Sequence, residues 1–135
     1  MDERTKIAAE TFSGDLFAVQ VAGAVLDEAG ENYARCHLTL GPQHRNANRQ
    51  VMGGVIFTLA DFAFAVAANG ERMQTPTVTL SSQIQYLSPV RGGTLTAETN
   101  CLKNGRGTCV IEVLVTDELG TKVAKAVVTG YRVRK

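Results

Sequence analysis

Histidine and cysteine are scarce in this chain. Its 135 residues include two histidines, His37 and His44, and three cysteines, Cys36, Cys101 and Cys109. Two histidines give a catalytic dyad or a histidine-rich metal site little to work with. The cysteines show no metal-ligand spacing, and an odd number cannot all pair internally. Reduced thiols in a cytoplasmic protein are therefore expected, with no metal. An excess of one charge is also missing: fourteen basic and thirteen acidic residues leave a formal +1. That removes the electrostatic case for binding nucleic acid or a membrane surface. The longest apolar run, residues 55–68, is too short and interrupted to span a bilayer. The first ten residues, Met-Asp-Glu-Arg-Thr-Lys-Ile-Ala-Ala-Glu, are too charged for a signal peptide. Repeats, linkers and low-complexity segments are absent. What remains is one domain over residues 1–135, large enough for one sizeable core.

Against that background residues 52–69 stand out, reading Met-Gly-Gly-Val-Ile-Phe-Thr-Leu-Ala-Asp-Phe-Ala-Phe-Ala-Val-Ala-Ala-Asn. The pattern predicts an almost wholly apolar helix, opened by Gly53 and Gly54 and carrying one carboxylate, Asp61. A helix apolar all round is expected to be buried on every face. A carboxylate in it must be paired, neutralised or used. The glycines place bare backbone amides at the positive end of the same helix. Acyl chemistry calls for these parts: donors where an oxyanion develops, and an acid that attacks or moves a proton.

Around this helix the elements fall in a simple order. Residues 3–12 form an amphipathic helix with Ile7, Ala8 and Phe12 on one side, broken at Ser13-Gly14-Asp15. Residues 19–29 alternate loosely and read as a strand. A turn over residues 28–32 leads to residues 33–40, where Ala34, Cys36, Leu38 and Leu40 oppose Arg35, His37 and Thr39. Residues 41–52 are a polar connection without apolar period, long enough to suggest function. The helix stops at Asn69-Gly70. Three or four strands run to the end, over residues 74–88, 93–103, 108–116 and 122–134. Asn104-Gly105 and residues 117–120 are the turns, and three strands pair as a meander. This is α+β. A single helix is enclosed only if the sheet curls around it, which leaves the outer sheet edge and the helix ends open to a second subunit.

Three segments resemble a known family. The loop His44-Arg45-Asn46-Ala47 is similar to its His-x-Asn segment ahead of the helix. The stretch from Met52-Gly53-Gly54 to Leu59-Ala60-Asp61 resembles its His-Gly-Gly-x-x-x-x-Leu-x-Asp signature. Tyr86-Leu87-Ser88-Pro89 resembles the end of its third strand. The chain thus resembles the hotdog-fold acyl-CoA thioesterases of the phenylacetate-pathway (PaaI-like) group over nearly its full length. It departs at Met52, where the family commonly has histidine, and near Arg49, where the family often has glycine.

The resemblance implies a curved antiparallel sheet around one central helix, and hydrolysis of an aryl- or medium-chain acyl-CoA. It makes Asp61 the nucleophile or the general base, and Gly53 the oxyanion donor. Asn46 and Thr79 would position the reactants, although Ser81 and Ser82 leave the register at Thr79 open. The site would lie between subunits of a homodimer, with Asn46 and Gly53 from one chain and Asp61 and Thr79 from the other. Pairing of dimers into a tetramer is compatible with it. CoA enters as part of the substrate, and no cofactor is implied. Met52 is expected as a pocket wall. Gly54 lets substrate approach the backbone, and Thr58 bonds either Asp61 or its own helix. Ser88, Arg91, Lys103, Asn104 and Arg106 are candidates for the CoA arm.

Each assignment has a plainer counterpart: a structural aspartate, close packing at the glycines, an asparagine in a turn, a β-branched strand residue, a solvated rim. For the whole chain the alternatives are an acyl-CoA binding protein without turnover, since Met52 replaces the signature histidine, and a hydratase, for which Met52 removes the obvious base.

Overall fold

The computed structural model describes residues 1–70 and 76–133. Gln74 and Thr75, expected to open a strand, and Arg134, expected to close the last one, lie outside the described residues.

Helix α1, Glu3–Phe12, starts at Asp2, whose Oδ1 accepts the Thr5 N–H at 2.7 Å. Its inward face is Thr5, Ala8 and Phe12, spaced i, i+3, i+7. Ile7, expected on that face, points to solvent. Phe12 meets Phe62 edge to face at 6.2 Å. Phe17–Ala22 is a π-helical segment, where alternation had predicted a strand from residue 19. Gly23 decides this locally: its φ of 91° ends the turn, and the Ala24 N–H closes it on the Ala18 carbonyl at 2.8 Å. The strand begins only at Val25.

Six strands form one antiparallel sheet: β1 Val25–Gly30, β2 Tyr33–Thr39, β3 Thr77–Tyr86, β4 Thr94–Asn104, β5 Thr108–Asp117 and β6 Lys122–Arg132, in the order β1-β2-β4-β5-β6-β3. The expected meander is β4-β5-β6, and β3 returns to pair with β6. Alternation places one row of each central strand inward, such as Ala34, Cys36 and Leu38 of β2 and Ile111, Val113 and Val115 of β5. Helix α2, Gly53–Asn69, lies along this concave face and buries Leu59, Ala63, Phe64 and Val66 against it. Gly130 of β6 is needed there, because a Cβ would stand 2.8 Å from the Phe64 ring. This is the hotdog arrangement.

The two sheet edges differ. Helix α1 covers β1, with the Thr5 hydroxyl accepting the Ala29 N–H at 3.0 Å. The other edge, β3, is uncovered: Val78 and Leu80 are 45% and 61% exposed. Helix α2 is not buried on every face either. Gly54 and Asp61 are exposed, and Phe57, Thr58 and Ala65 are half-buried, which makes one open stripe down the helix. A single sheet of six strands encloses only part of the helix circumference. No helix among the described residues is long and apolar enough to cross a membrane.

Candidate active site

The site begins in the loop before α2. Pro42–His44 is one 3-10 turn, and the His44 ring is buried beneath it. His44 Nδ1 accepts the Gly41 N–H at 2.9 Å, and Nε2 donates to the Ala22 carbonyl at 2.7 Å. Both nitrogens are committed, and the ring ties the loop to the π-helical segment. Residues 45–51 then form a small hairpin. Arg45 bridges Val51, and the Asn46 N–H donates to the Gln50 carbonyl. Asn46 Oδ1 accepts the N–H groups of Asn48 and Gln50, the turn role that competes with a catalytic one. Its side-chain nitrogen has no partner among the described residues. Arg49 holds φ at 63°, the left-handed conformation glycine adopts without strain.

The loop delivers the chain to the start of α2 through the Met52 N–H, which donates to the His44 carbonyl at 2.9 Å. Met52 occupies the N-cap position but has no oxygen to cap with. The amides of Gly53 and Gly54 consequently have no partner among the described residues and open outward. The Met52 side chain is exposed in the single chain and leans over Gly54. Tyr86, at the end of β3, donates its hydroxyl to the Gly53 carbonyl at 2.9 Å. Its ring lies against the same glycine, where an added Cβ would stand 3.2 Å from Cζ. Sequence reading used Tyr86 only as part of a motif and gave it no role. A cleft of about 370 Å³ runs from Gly53 past Tyr86 and Ser88 to Val90, floored by Val51 and Ile56.

Asp61 lies on the open stripe, exposed in the single chain where burial had been expected. The protein around its carboxyl still raises its pKa, first by desolvation and then by the negative charge of Asp15. Thr58 donates to the Gly54 carbonyl at 2.8 Å, the bond to its own helix. Eight residues at 1.5 Å per residue separate Gly53 from Asp61 by about 12 Å along the axis. Thr79 faces the helix side of β3, opposite Gly130. Leu80 forms a bulge, after which Ser82 returns to that side.

The five CoA-arm candidates do not meet within one chain. Ser88 and Arg91 precede β4, whereas Lys103, Asn104 and Arg106 lie at its far end, roughly 33 Å away. There Asn104 Oδ1 accepts from Arg132, and Lys103 Nζ donates to the Thr108 hydroxyl at 3.3 Å.

A thioesterase superfamily model matches residues 50–124, from the loop to the start of β6. The chain belongs to the thioesterase superfamily. This thioester hydrolase is 32% identical over 109 residues to a putative esterase of Archaeoglobus fulgidus, covering 80% of this chain and 70% of that one. It is also 32% identical over 95 residues to the acyl-coenzyme A thioesterase PaaI of Escherichia coli, covering 70% of this chain and 66% of the relative. The solved structure of E. coli PaaI superposes with a TM-score of 0.87 at 25% identity, over 97% of this chain and 94% of that one. A Streptococcus mutans protein solved with acetyl CoA bound gives a TM-score of 0.75 at 29% identity, over 83% and 90%.

Proposed function

We propose that this enzyme hydrolyses an acyl-CoA thioester to the free acid and CoA in a site shared by two copies of the chain. The observation that carries the reading is the spacing on α2. The unpartnered Gly53 amide and Asp61 are about 12 Å apart on one rigid element, whereas groups acting on one carbonyl carbon must lie within about 3.5 Å of the reacting atoms. A second copy supplies the missing half. The open β3 edge and the open stripe of α2 are the faces that such a copy would cover.

In that site the Gly53 amide, at the positive end of α2, polarises the thioester carbonyl and takes up its developing negative charge. Asp61 from the other chain attacks the carbonyl carbon, or removes a proton from the water that does. Its raised pKa makes it a better base than a solvated carboxylate. Asn46, through its free side-chain nitrogen, and Thr79 orient the carbonyl and the water. The thiol leaves as CoA, and one water is consumed overall. The E. coli relative, named for acyl-CoA hydrolysis, and the acetyl CoA complex of the S. mutans neighbour support an acyl-CoA substrate.

The test is thiol release from a panel of aryl- and fatty-acyl-CoA thioesters by the parent, Asp61→Asn and Asp61→Ala. Release by the parent, reduced by at least about a hundredfold in both variants while the fold is retained, is expected. Tight binding of a thioester with no release from any would overturn the hydrolase assignment for this chain.

A further inference from the structure

The two glycines that open α2 have different explanations. Gly53 is required by packing, because an added Cβ would stand 3.1 Å from the Tyr86 hydroxyl. Gly54 is not. It is helical and exposed, and an added Cβ would meet only the Met52 Cε, at an ordinary 3.6 Å. Alanine would fit there and is the better helix former, whereas glycine leaves the backbone open to a close neighbour.

The Gly54 amide is held ready for such a neighbour. The Val55 N–H already donates to the Met52 carbonyl at 3.0 Å, but the Gly54 N–H has no partner among the described residues. Tyr86 pins the Gly53 carbonyl and so fixes the peptide plane that carries the Gly54 N–H. A serine, threonine, aspartate or asparagine at the N-cap would take this amide. Met52 has the extended backbone of an N-cap, with φ of −66° and ψ of 134°, but no side-chain acceptor. The capping geometry is present and only the oxygen is missing.

We infer that the Gly54 N–H is a second donor to the thioester oxygen beside that of Gly53, and that Met52 is the positioning residue that keeps it free. The inference rests on the acyl-CoA hydrolysis proposed above. Successive free amides in the first turn of a helix point the same way along its axis and can meet one oxygen. Both bonds strengthen as charge builds on that oxygen, so the second donor acts on kcat more than on KM. An oxygen at the N-cap would stabilise the helix and compete with the substrate for the amide, which gives residue 52 a reason to lack one.

The experiment sets Met52→Ser against Met52→Leu, two side chains with and without an acceptor. Met52→Ser is expected to melt about 3 °C above Met52→Leu and to have a kcat about tenfold lower, with KM little changed. Gly54→Ala should melt no lower than the parent and still lose kcat/KM, a combination that a purely structural glycine would not give. In parallel, amide proton shifts of the ¹⁵N-labelled parent are followed with ketone analogues of hexanoyl- and benzoyl-CoA, in which a methylene replaces the thioester sulfur. S-hexyl- and S-benzyl-CoA, which lack the carbonyl, are the references. The ketones are expected to move both the Gly53 and Gly54 amide protons downfield of their positions with the references. Met52→Ser that melts higher yet keeps the kcat of Met52→Leu would overturn the inference. So would a Gly54→Ala protein that melts below the parent and loses its dimer, since the glycine would then serve packing between copies. Turnover by the parent with the Gly53 amide alone moved by the ketones would overturn the inference and leave the hydrolase reading standing. A ketone-dependent shift of the Gly54 amide in a protein that hydrolyses no thioester would support the inference and overturn that reading instead.

Discussion

Asp61 illustrates how one side chain sets a pH dependence. Desolvation in the surrounding protein, reinforced by the charge of Asp15, lifts its pKa above the ordinary aspartate value. A base or nucleophile must be ionised, so kcat/KM should fall as pH drops through that raised pKa. Asp15→Asn should move this acid limb to lower pH, as a pH–rate profile will show; a limb left in place would mean that Asp15 does not act on Asp61. The same shift has a stability consequence of opposite sign. An acid with a raised folded-state pKa destabilises the fold above that pKa, so Asp61→Asn should melt no lower than the parent at pH 7. Tyr86 is a second case. The Gly53 carbonyl and the Gly54 N–H share one peptide plane, so the Tyr86 hydroxyl orients the Gly54 amide, the neighbour of the proposed oxyanion donor. Tyr86→Phe removes that bond alone. With a hydrogen bond contributing about 1 kcal/mol to the fold, the melting temperature should fall by roughly 3–5 °C, and kcat should fall with KM little changed. Gly53 and Asp61 were conspicuous in sequence because a glycine pair and a lone acid interrupt an apolar run. Tyr86 was not, because its role depends on a contact that residue type does not encode, whereas the glycine missing near Arg49 did point to the left-handed turn found there.

At the scale of elements, periodicity recovered what burial imposes and missed what turns impose. Strand β2 and helix α2 follow their apolar patterns because each packs one row on the core. The segment Phe17–Ala22 carries β-branched residues yet is helical, because Gly23 and a single backbone bond outweigh its weak alternation. The turn after β5 holds another feature invisible in sequence. Asp117 is 5% exposed, and its two oxygens accept four backbone N–H groups, from Arg91, Gly92, Leu119 and Thr121. Burial works against its charge, but these donors outweigh it and hold the pKa at about 2. The folded-state value is below the unfolded one, so the charged form stabilises the protein. That contribution, about 2 kcal/mol, is complete above roughly pH 4 and disappears as pH falls toward 2. Melting temperatures between pH 6 and pH 2 should show this acid sensitivity in the parent and a weaker one in Asp117→Asn, which should already be less stable at neutral pH. Equal pH slopes in the two proteins would mean that the turn is held by other groups.

The whole molecule has two unfinished surfaces, and both lie beside the candidate site. One edge of the sheet is capped by α1 through Thr5, whereas β3 presents Val78 and Leu80 with nothing over them. Sequence could anticipate an open edge from a sheet wrapped around one helix. It could not say which edge, because only the register shows that β3 returns to β6 and ends the sheet. The rise of α2 then turns an architectural remark into an experiment. If Asn46 and Gly53 act with Asp61 and Thr79 of another copy, two separately inactive chains can complement each other. Asn46→Ala and Asp61→Asn homodimers each damage every site. Refolded together in equal amounts, half of the dimers are mixed. Each mixed dimer gathers both defects in one site and leaves the other intact, so about a quarter of the parental activity should return. Activity no greater than the mean of the two separate variants, with mixed dimers demonstrated by mass, would place the action of Asn46 and Asp61 within a single chain. The 12 Å span of α2 would then require each chain to bend or unwind that helix during turnover.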